Sequence, residues 1–342
     1  MANLTPTNFK TAQSKMMGKF ASNEMRLISA NTYLEISKLT QFMLPNYLEL
    51  RKREDRAIET SLLTRSKRSV LTARSSTHTG NRGDSAIVTP TWSTSADVFS
   101  LSLKQYDNNQ YSMQEGLDNL YENAYLNMVE SLEDDAQNYL FGEKTGVNIS
   151  TGGGGTFNAT DDVYNFAAVN VNTIIQKTKT VMEENGYKGA ITIFADSIAY
   201  DLFKFQAFQG AGNDVNLSFQ FEGITFVRSI GYAAKFLPLA GTYATGVWTA
   251  VANDSIGAMP WIPKQNREGV ATRLQTYSSA ISPYDGTPYA VHYYETASDQ
   301  SGSNGMTQDE VTQVEISQDM SFMSSPITVT DETSLFAFSL QA

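Results

Sequence analysis

The sequence predicts an α+β fold, and three observations support this class. Residues 112–141 carry apolar side chains at helical spacing over about seven turns. The segment before this helix, and most of the chain after residue 270, alternate β-branched and polar residues as half-buried strands do. Between them, helix and strand patterns mix without a repeat of fixed period. A chain of 342 residues with 41% hydrophobic residues can build one large or two medium domains.

The N-terminal third predicts short helices followed by an extended hairpin. Residues 7–20 and 24–44 are loosely periodic, Pro45 interrupts the pattern, and a charged arm or helix follows over 46–57. Strand patterns over 58–104 flank a turn-rich run, so we expect a β-hairpin with its tip near 78–85. Because little of it is apolar and a lone hairpin is marginal in water, it should lie on another surface.

The long helix is predicted to start and stop by local signals and to carry an acidic face. Ser112 and Glu115 have capping-box spacing, and Gly142 is a stop signal. Like charges four residues apart destabilise an isolated helix by about a few tenths of a kcal/mol, so a cationic partner would stabilise this one. The acidic residues predicted opposite the apolar stripe are Glu115, Asp118, Glu122, Glu130 and Glu133.

After the helix, the predicted elements alternate and then become mostly β. A helix is expected over about 171–184, and Asp196 should cap a second helix that runs to about Phe208. The strand patterns lie at 190–195, 219–221, 224–227, 246–251, 289–294, 311–316, 327–329 and 335–338.

Charge is divided unevenly along the chain. Residues 1–82 carry a net charge of +8 and residues 83–342 a net charge of −19. This asymmetry predicts a basic arm that contacts nucleic acid or an acidic partner surface, and the acidic remainder excludes a wholly basic nucleic-acid domain.

Motifs of catalysis, metal binding and cofactor binding are scarce, so we expect no enzyme, no catalytic residue, no cofactor and no metal. The chain has no Cys and two His, of which His78 falls in the predicted hairpin tip and His292 in a strand. Zinc-protease, EF-hand, phosphate-loop and nucleophile-elbow motifs do not occur. No apolar run of about 18 residues predicts a membrane span, and no secretory signal is evident. Lack of Cys fits assembly in a reducing cytoplasm.

The order of these parts resembles a known family. An arm, a polar hairpin, a long amphipathic helix, a compact α/β region and a β-rich end follow one another, as in the major capsid protein of tailed bacteriophages, the fold named after phage Hong Kong 97. The matching stretches are 98–140, 191–205, 219–230 and 246–261. The resemblance implies these parts: an N-terminal arm over 1–57, an extended loop over 58–108, a peripheral domain over 109–165 and 281–342 with its spine helix over 112–141, and an axial domain over 166–280.

The resemblance also implies a function. Copies of the chain would assemble into hexamers and pentamers of an icosahedral shell that encloses double-stranded DNA, with a separate scaffolding protein and a portal as partners. The shell would be assembled in the cytoplasm of the bacterial host and located in the virion. The alternatives are another phage structural protein, in the tail or baseplate, an encapsulin-type compartment, and an enzyme of unknown chemistry on the same scaffold.

Opposite charges on the extended loop and on the spine helix predict how neighbouring subunits contact each other. A basic set on the extended loop is expected to pair with an acidic set on a neighbour's spine helix. The two sets are Arg65, Lys67, Arg68 and Arg74 on the loop and Glu122, Glu130 and Asp134 on the helix. A second basic set is a candidate for two roles, the same contact or sequence-independent contact with packaged DNA. These residues are Arg51, Lys52, Arg53 and Arg56.

Overall fold

A computed structural model gives the fold of the chain. It describes residues 5–24, 31–44, 55–56, 59–63, 74, 85–102, 111–144, 155–184, 187, 189–208, 218–221, 223–239, 241, 243, 246–272, 275–300, 307–325 and 335–341. The fold mixes helices and sheets, as the sequence predicts. None of the helices in these ranges is long and apolar enough to cross a bilayer.

Two helices come first. Helix α1 spans Pro6–Ala21 and begins with a capping box between Thr5 and Asn8, and α2 spans Asn31–Met43. Each buries one stripe of side chains, including Phe9 and Met16 of α1. The predicted arm over 46–57 lies outside the described residues except at positions 55 and 56.

The hairpin is present, and its return strand ends earlier than predicted. Strands β1 (Thr60–Leu63) and β2 (Ser85–Val88) pair antiparallel in a two-stranded sheet of their own. Strand β3 (Thr91–Ser102) was predicted to belong to the hairpin, and this was wrong. It pairs along its whole length with another strand, β13 (Thr307–Ser324), far away in sequence. The predicted tip lies mostly outside the described residues.

The long helix confirms the local signals. Helix α3 spans Met113–Gly142, so it ends at the predicted glycine. The Ser112 hydroxyl accepts a hydrogen bond from the backbone N–H of Glu115, and the Glu115 carboxylate accepts one from the Ser112 N–H at 2.7 Å. These two bonds satisfy backbone groups that a helix start leaves open.

A five-stranded antiparallel sheet supports α3. Its strands, in sheet order, are β10 (Ile256–Trp261), β13, β12 (Pro288–Gln300) and β11 (Gln275–Ile281). Along one edge β13 pairs with β3, and along the opposite edge it pairs with β12 and then with β10. One face packs against α3, where buried tyrosines pair their hydroxyls within the core, such as Tyr121 with Tyr289 at 2.9 Å. The sheet and helix share one hydrophobic core, to which α1 adds Phe9 and Met16.

A seven-stranded mixed sheet forms the second layer. Its strands, in sheet order, are β4 (Thr156–Asn158), β5 (Val163–Ala167), β14 (Leu335–Gln341), β9 (Val247–Ala252), β6 (Ile191–Ala195), β8 (Ile224–Arg228) and β7 (Ser218–Phe221). A 3-10 helix precedes α4, and short helices α6 and α7 follow α5. Their bounds are Ala168–Thr173 for the 3-10 helix, Ile174–Glu184 for α4, Ser197–Phe208 for α5, Ala233–Phe236 for α6 and Lys264–Glu268 for α7.

The sheets cross the boundaries predicted for the domains. Strand β14 comes from the predicted peripheral range 281–342, yet it lies in the middle of the seven-stranded sheet between β5 and β9. Strands β10 and β11 come from the predicted axial range 166–280, yet they lie in the five-stranded sheet. Which sheet a strand joins is decided by its pairing with strands that are distant in sequence, and a local sequence pattern does not indicate that pairing. The domain division itself stays a prediction.

Candidate functional site

The acidic face of α3 is met by lysines of the same chain. Lys15 of α1 forms an ion pair with Asp118, and Lys19 forms one with Glu122 at 2.5 Å. The two lysines are one helical turn apart, as are the two carboxylates, so α1 and α3 run side by side in the same direction. The predicted repulsion between Asp118 and Glu122 is therefore offset within the subunit.

The three carboxylates of α3 that were predicted to bind a neighbour's basic residues differ in their surroundings. Glu122 binds Lys19, and Asp134 binds Lys235 of α6 in an ion pair. Glu130 is exposed. Two of the three predicted acceptors thus already contact a cation of their own chain, and a neighbour's cation would have to join these pairs.

Glu133 does not lie on the exposed acidic face, so that part of the prediction was wrong. Its side chain is only 4% exposed, and its carboxylate accepts hydrogen bonds from the backbone N–H groups of Thr32 and Tyr33, at 3.3 and 2.9 Å. The Gln137 amide donates a third bond at 3.1 Å. Burial raises the pKa of Glu133, and the hydrogen bonds that it accepts oppose this rise.

This buried glutamate anchors α2 to α3. Thr32 and Tyr33 are in the first turn of α2, where backbone N–H groups have no partner within the helix. A carboxylate at this end satisfies two of them and is favoured by the helix dipole. The sequence offered no signal for it, because the acceptor and the helix start are about a hundred residues apart.

The predicted basic residues lie mostly outside the described part of the chain. This holds for Arg65, Lys67, Arg68, Arg51, Lys52 and Arg53. Arg74 is described and exposed. Their roles stay predictions.

Arg56 is engaged within its own chain. Its guanidinium donates to one carboxylate oxygen of Asp319 from Nε at 3.1 Å and from a terminal nitrogen at 2.6 Å. It also lies over the ring of Trp261, with 5.3 Å between the guanidinium carbon and the ring centroid. The charged group of this residue binds a carboxylate of the five-stranded sheet, and its predicted role toward DNA or a neighbour stays a prediction.

A cleft of about 380 Å³ opens between the junction of β2 and β3 and the C-terminal end of α3. Asp135 and Glu143 line it, together with the apolar Phe322 and Met323. Ser93 donates to Asp135 at 3.2 Å, and Ser324 donates to Glu143 at 2.8 Å. The two carboxylates accept hydrogen bonds from hydroxyls of β3 and β13, so these bonds connect the strands to the C-terminal end of α3.

His292 is packed between aromatic rings. The rings of Tyr277 and Tyr294 lie 4.4 and 5.7 Å from its own, and burial lowers its pKa. Within the described residues no group of three or more His, Asp or Glu side chains is placed to hold a metal ion. His78 lies outside them. The arrangement around His292 is that of a stacked aromatic row on a sheet.

One apolar surface was missed by the sequence analysis. Ile198 and Phe205 of α5 are 50% and 62% exposed and lie seven residues apart, which places them on one face of that helix. Leu237, just after α6, is 76% exposed. Exposed apolar side chains that share a helix face are typical of surfaces that other chains cover.

Comparisons with known proteins find similarity in structure. The chain is similar to the capsid asymmetric unit of cyanophage Pam1, with a TM-score of 0.48, 10% identity and coverage of 93% of this chain and 94% of that one. A structure from Mycobacterium phage Adephagia has a TM-score of 0.45, 12% identity and coverage of 89% and 91%. The capsid structure of cyanophage P-SCSP1u has a TM-score of 0.40, 11% identity and coverage of 83% and 82%.

No family model and no curated protein matches the sequence. Identities of 10 to 12% are too low to carry residue roles from those proteins to this chain. Two of the three structures are named as phage capsids.

Proposed function

We propose that this chain is the major capsid protein of a tailed bacteriophage, a shell subunit rather than an enzyme. Its copies would assemble into hexamers and pentamers of an icosahedral shell around double-stranded DNA. The other partners proposed are a separate scaffolding protein and a portal, and the proposed location is the virion after assembly in the host cytoplasm.

The observation that carries the proposal is the hairpin. Strands β1 and β2 have four residues each and pair with each other in a sheet separate from the two larger ones. A two-stranded sheet of this length is marginal in water. Such a hairpin becomes stable by lying on another surface, and in a shell that surface is the neighbouring subunit.

The charges of the chain also favour contact between the hairpin and a neighbouring subunit. The basic residues Arg65, Lys67, Arg68 and Arg74 would extend from the hairpin toward the acidic helix of a neighbour. Glu130 is the acceptor most open to them, because Glu122 and Asp134 already bind lysines of their own chain. Each exposed pair would contribute about 0–1 kcal/mol, so the pairs set register more than affinity.

Two further surfaces fit a shell. The apolar face of α5 with Ile198 and Phe205 offers a contact between copies around a symmetry axis. Arg51, Lys52 and Arg53 remain candidates for contact with packaged DNA, which would be independent of sequence and sensitive to salt. Arg56 is a weaker candidate for that role, since its guanidinium binds Asp319.

Sedimentation velocity of the expressed chain, with and without a triple charge reversal, tests the proposed contact. We expect wild-type protein to form fast-sedimenting assemblies, and Arg65→Glu, Lys67→Glu and Arg68→Glu together to leave a folded but unassembled subunit. Normal assembly by the triple variant would refute the loop–helix contact. Tubes, or rings with neither six nor five subunits, in electron micrographs of the assemblies would favour a tail or baseplate role.

A further inference from the structure

We propose that Asp319 is a positioning residue that ties together the two segments flanking the hairpin, the outgoing leg just before β1 and the return leg, β3, after β2. It lies in β13, in register with Thr94 of β3 on one edge and with Trp261 of β10 on the other. Side chains opposite each other in antiparallel strands share one face of the sheet. Asp319 is therefore at the centre of a row that reaches both neighbouring strands.

Each oxygen of this carboxylate binds a different leg. Oδ2 accepts the two hydrogen bonds from Arg56, at 3.1 and 2.6 Å, and Arg56 comes four residues before β1 on the outgoing leg. Oδ1 accepts a bond from the hydroxyl of Thr94 at 2.5 Å, and Thr94 follows β2 on the return leg. One side chain thus binds the chain on its way into the hairpin and on its way out.

Burial makes the pairing of Asp319 with Arg56 necessary. The residue is 4% exposed although Thr94, beside it on the same face, is exposed. A buried carboxylate is costly unless it is paired and hydrogen-bonded, and here the guanidinium supplies both.

The ring of Trp261 is a second partner of the guanidinium. Arg56 and Arg267 both lie over its ring, with 5.3 and 5.7 Å from guanidinium carbon to ring centroid. Arginine is suited to this place because its planar group can bind a carboxylate with two N–H groups and stack on a ring at once. A lysine could keep the charge but neither the paired N–H groups nor the stacking.

The role follows from the geometry. The pair fixes the direction in which the hairpin leaves the subunit, so it decides whether the hairpin can reach a neighbour in the right register. This last step rests on the proposed capsid function, whereas the anchoring of the hairpin does not.

Hydrogen exchange on the full chain, before and after assembly, tests the inference. In Arg56→Gln and in Asp319→Asn we expect backbone exchange at 60–63 and 85–88 to become about tenfold faster, as expected for loss of a charge-assisted hydrogen bond. Exchange in α3 should stay unchanged. Arg56→Lys should be intermediate. The matched control is Lys38→Gln, which removes the exposed ion pair of Lys38 with Glu35 on α2.

The outcomes separate the two proposals. Unchanged exchange in the hairpin of both variants would overturn the anchoring role, whether or not the wild type forms shells. Faster exchange with a wild type that never assembles would support the anchor and count against the capsid function. Faster exchange together with misassembled particles is the result that we expect. If Asp319→Asn fails to fold, Arg56→Gln and Arg56→Lys still decide the question.

Discussion

Replacing Glu133 by alanine tests how α2 is held against α3. In the folded chain its carboxylate accepts backbone hydrogen bonds from Thr32 and Tyr33 and one from the Gln137 amide. Glu133→Ala removes the acceptor for the first turn of α2, and loss of a helix cap costs about 0.5–2 kcal/mol. The buried donors that remain unpaired add about 1–3 kcal/mol. We expect a total loss of about 2–4 kcal/mol of unfolding free energy.

The pH dependence of this loss has a definite sign. Burial raises the pKa of Glu133 in the folded chain, so the folded state binds the proton more tightly than the unfolded chain does. The contribution of the group is then fully present below the ordinary glutamate pKa and declines as pH rises through the raised pKa. The stability difference between wild type and Glu133→Ala should therefore be larger near pH 4 than near pH 7.

Urea unfolding followed by tryptophan fluorescence at both pH values measures these differences. Glu130→Ala is the matched control, since Glu130 is an exposed glutamate one turn earlier on the same helix. It should change stability by at most about 0.5 kcal/mol. Equal losses for the two variants, or a larger loss at the higher pH, would refute the reasoning.

Further predictions concern the core, the helix pairing and the proposed subunit contacts. Trp248→Ala should lose about 3–5 kcal/mol in urea unfolding, because its fully buried ring stacks on Phe338 in the seven-stranded sheet; a loss below 1 kcal/mol would contradict this packing. Lys19→Glu should cost at most about 1 kcal/mol at low salt and less in high salt, and a salt-independent loss would argue against an ion-pair origin. Phe205→Glu should leave the melting temperature unchanged and reduce assembly in light scattering, whereas Glu183→Gln, an exposed change on α4, is the control; normal assembly by the phenylalanine variant would exclude this face from the contact.

The parts of the fold with local signals could be predicted from the sequence. The long helix begins and ends where its capping box and glycine predict, because these signals act within one helical turn. Asp196 caps α5, as predicted, by accepting from the Ala199 N–H at 2.8 Å. The hairpin at β7 and β8 turns at Gly223, which has φ of +79°, a conformation that glycine adopts without strain.

The parts that depend on distant partners could not be predicted. Strand β3 has an alternating pattern that fits a hairpin as well as a sheet edge, and only its pairing with β13 decides between them. Glu133 has helical spacing with the exposed carboxylates, yet α2 covers it. In both cases the sequence specifies which residues can be buried but not which element covers them.

The sequence predicted which segments of the candidate site are charged, but it did not predict which residues form ion pairs with them. The basic and acidic segments are real features of the sequence, but Lys15, Lys19 and Lys235 occupy part of the acidic helix. A helix face with like charges indicates that a cation is needed, and it does not tell whether the cation comes from the same chain or from a neighbour. Arg56 illustrates the same point, because its partner lies 263 residues away.

Negative-stain electron microscopy of the expressed chain, alone and with its candidate scaffolding protein, tests the central claim most directly. The capsid function predicts closed polyhedral shells, or rings of six and five subunits. A small species of uniform size under every condition would contradict it.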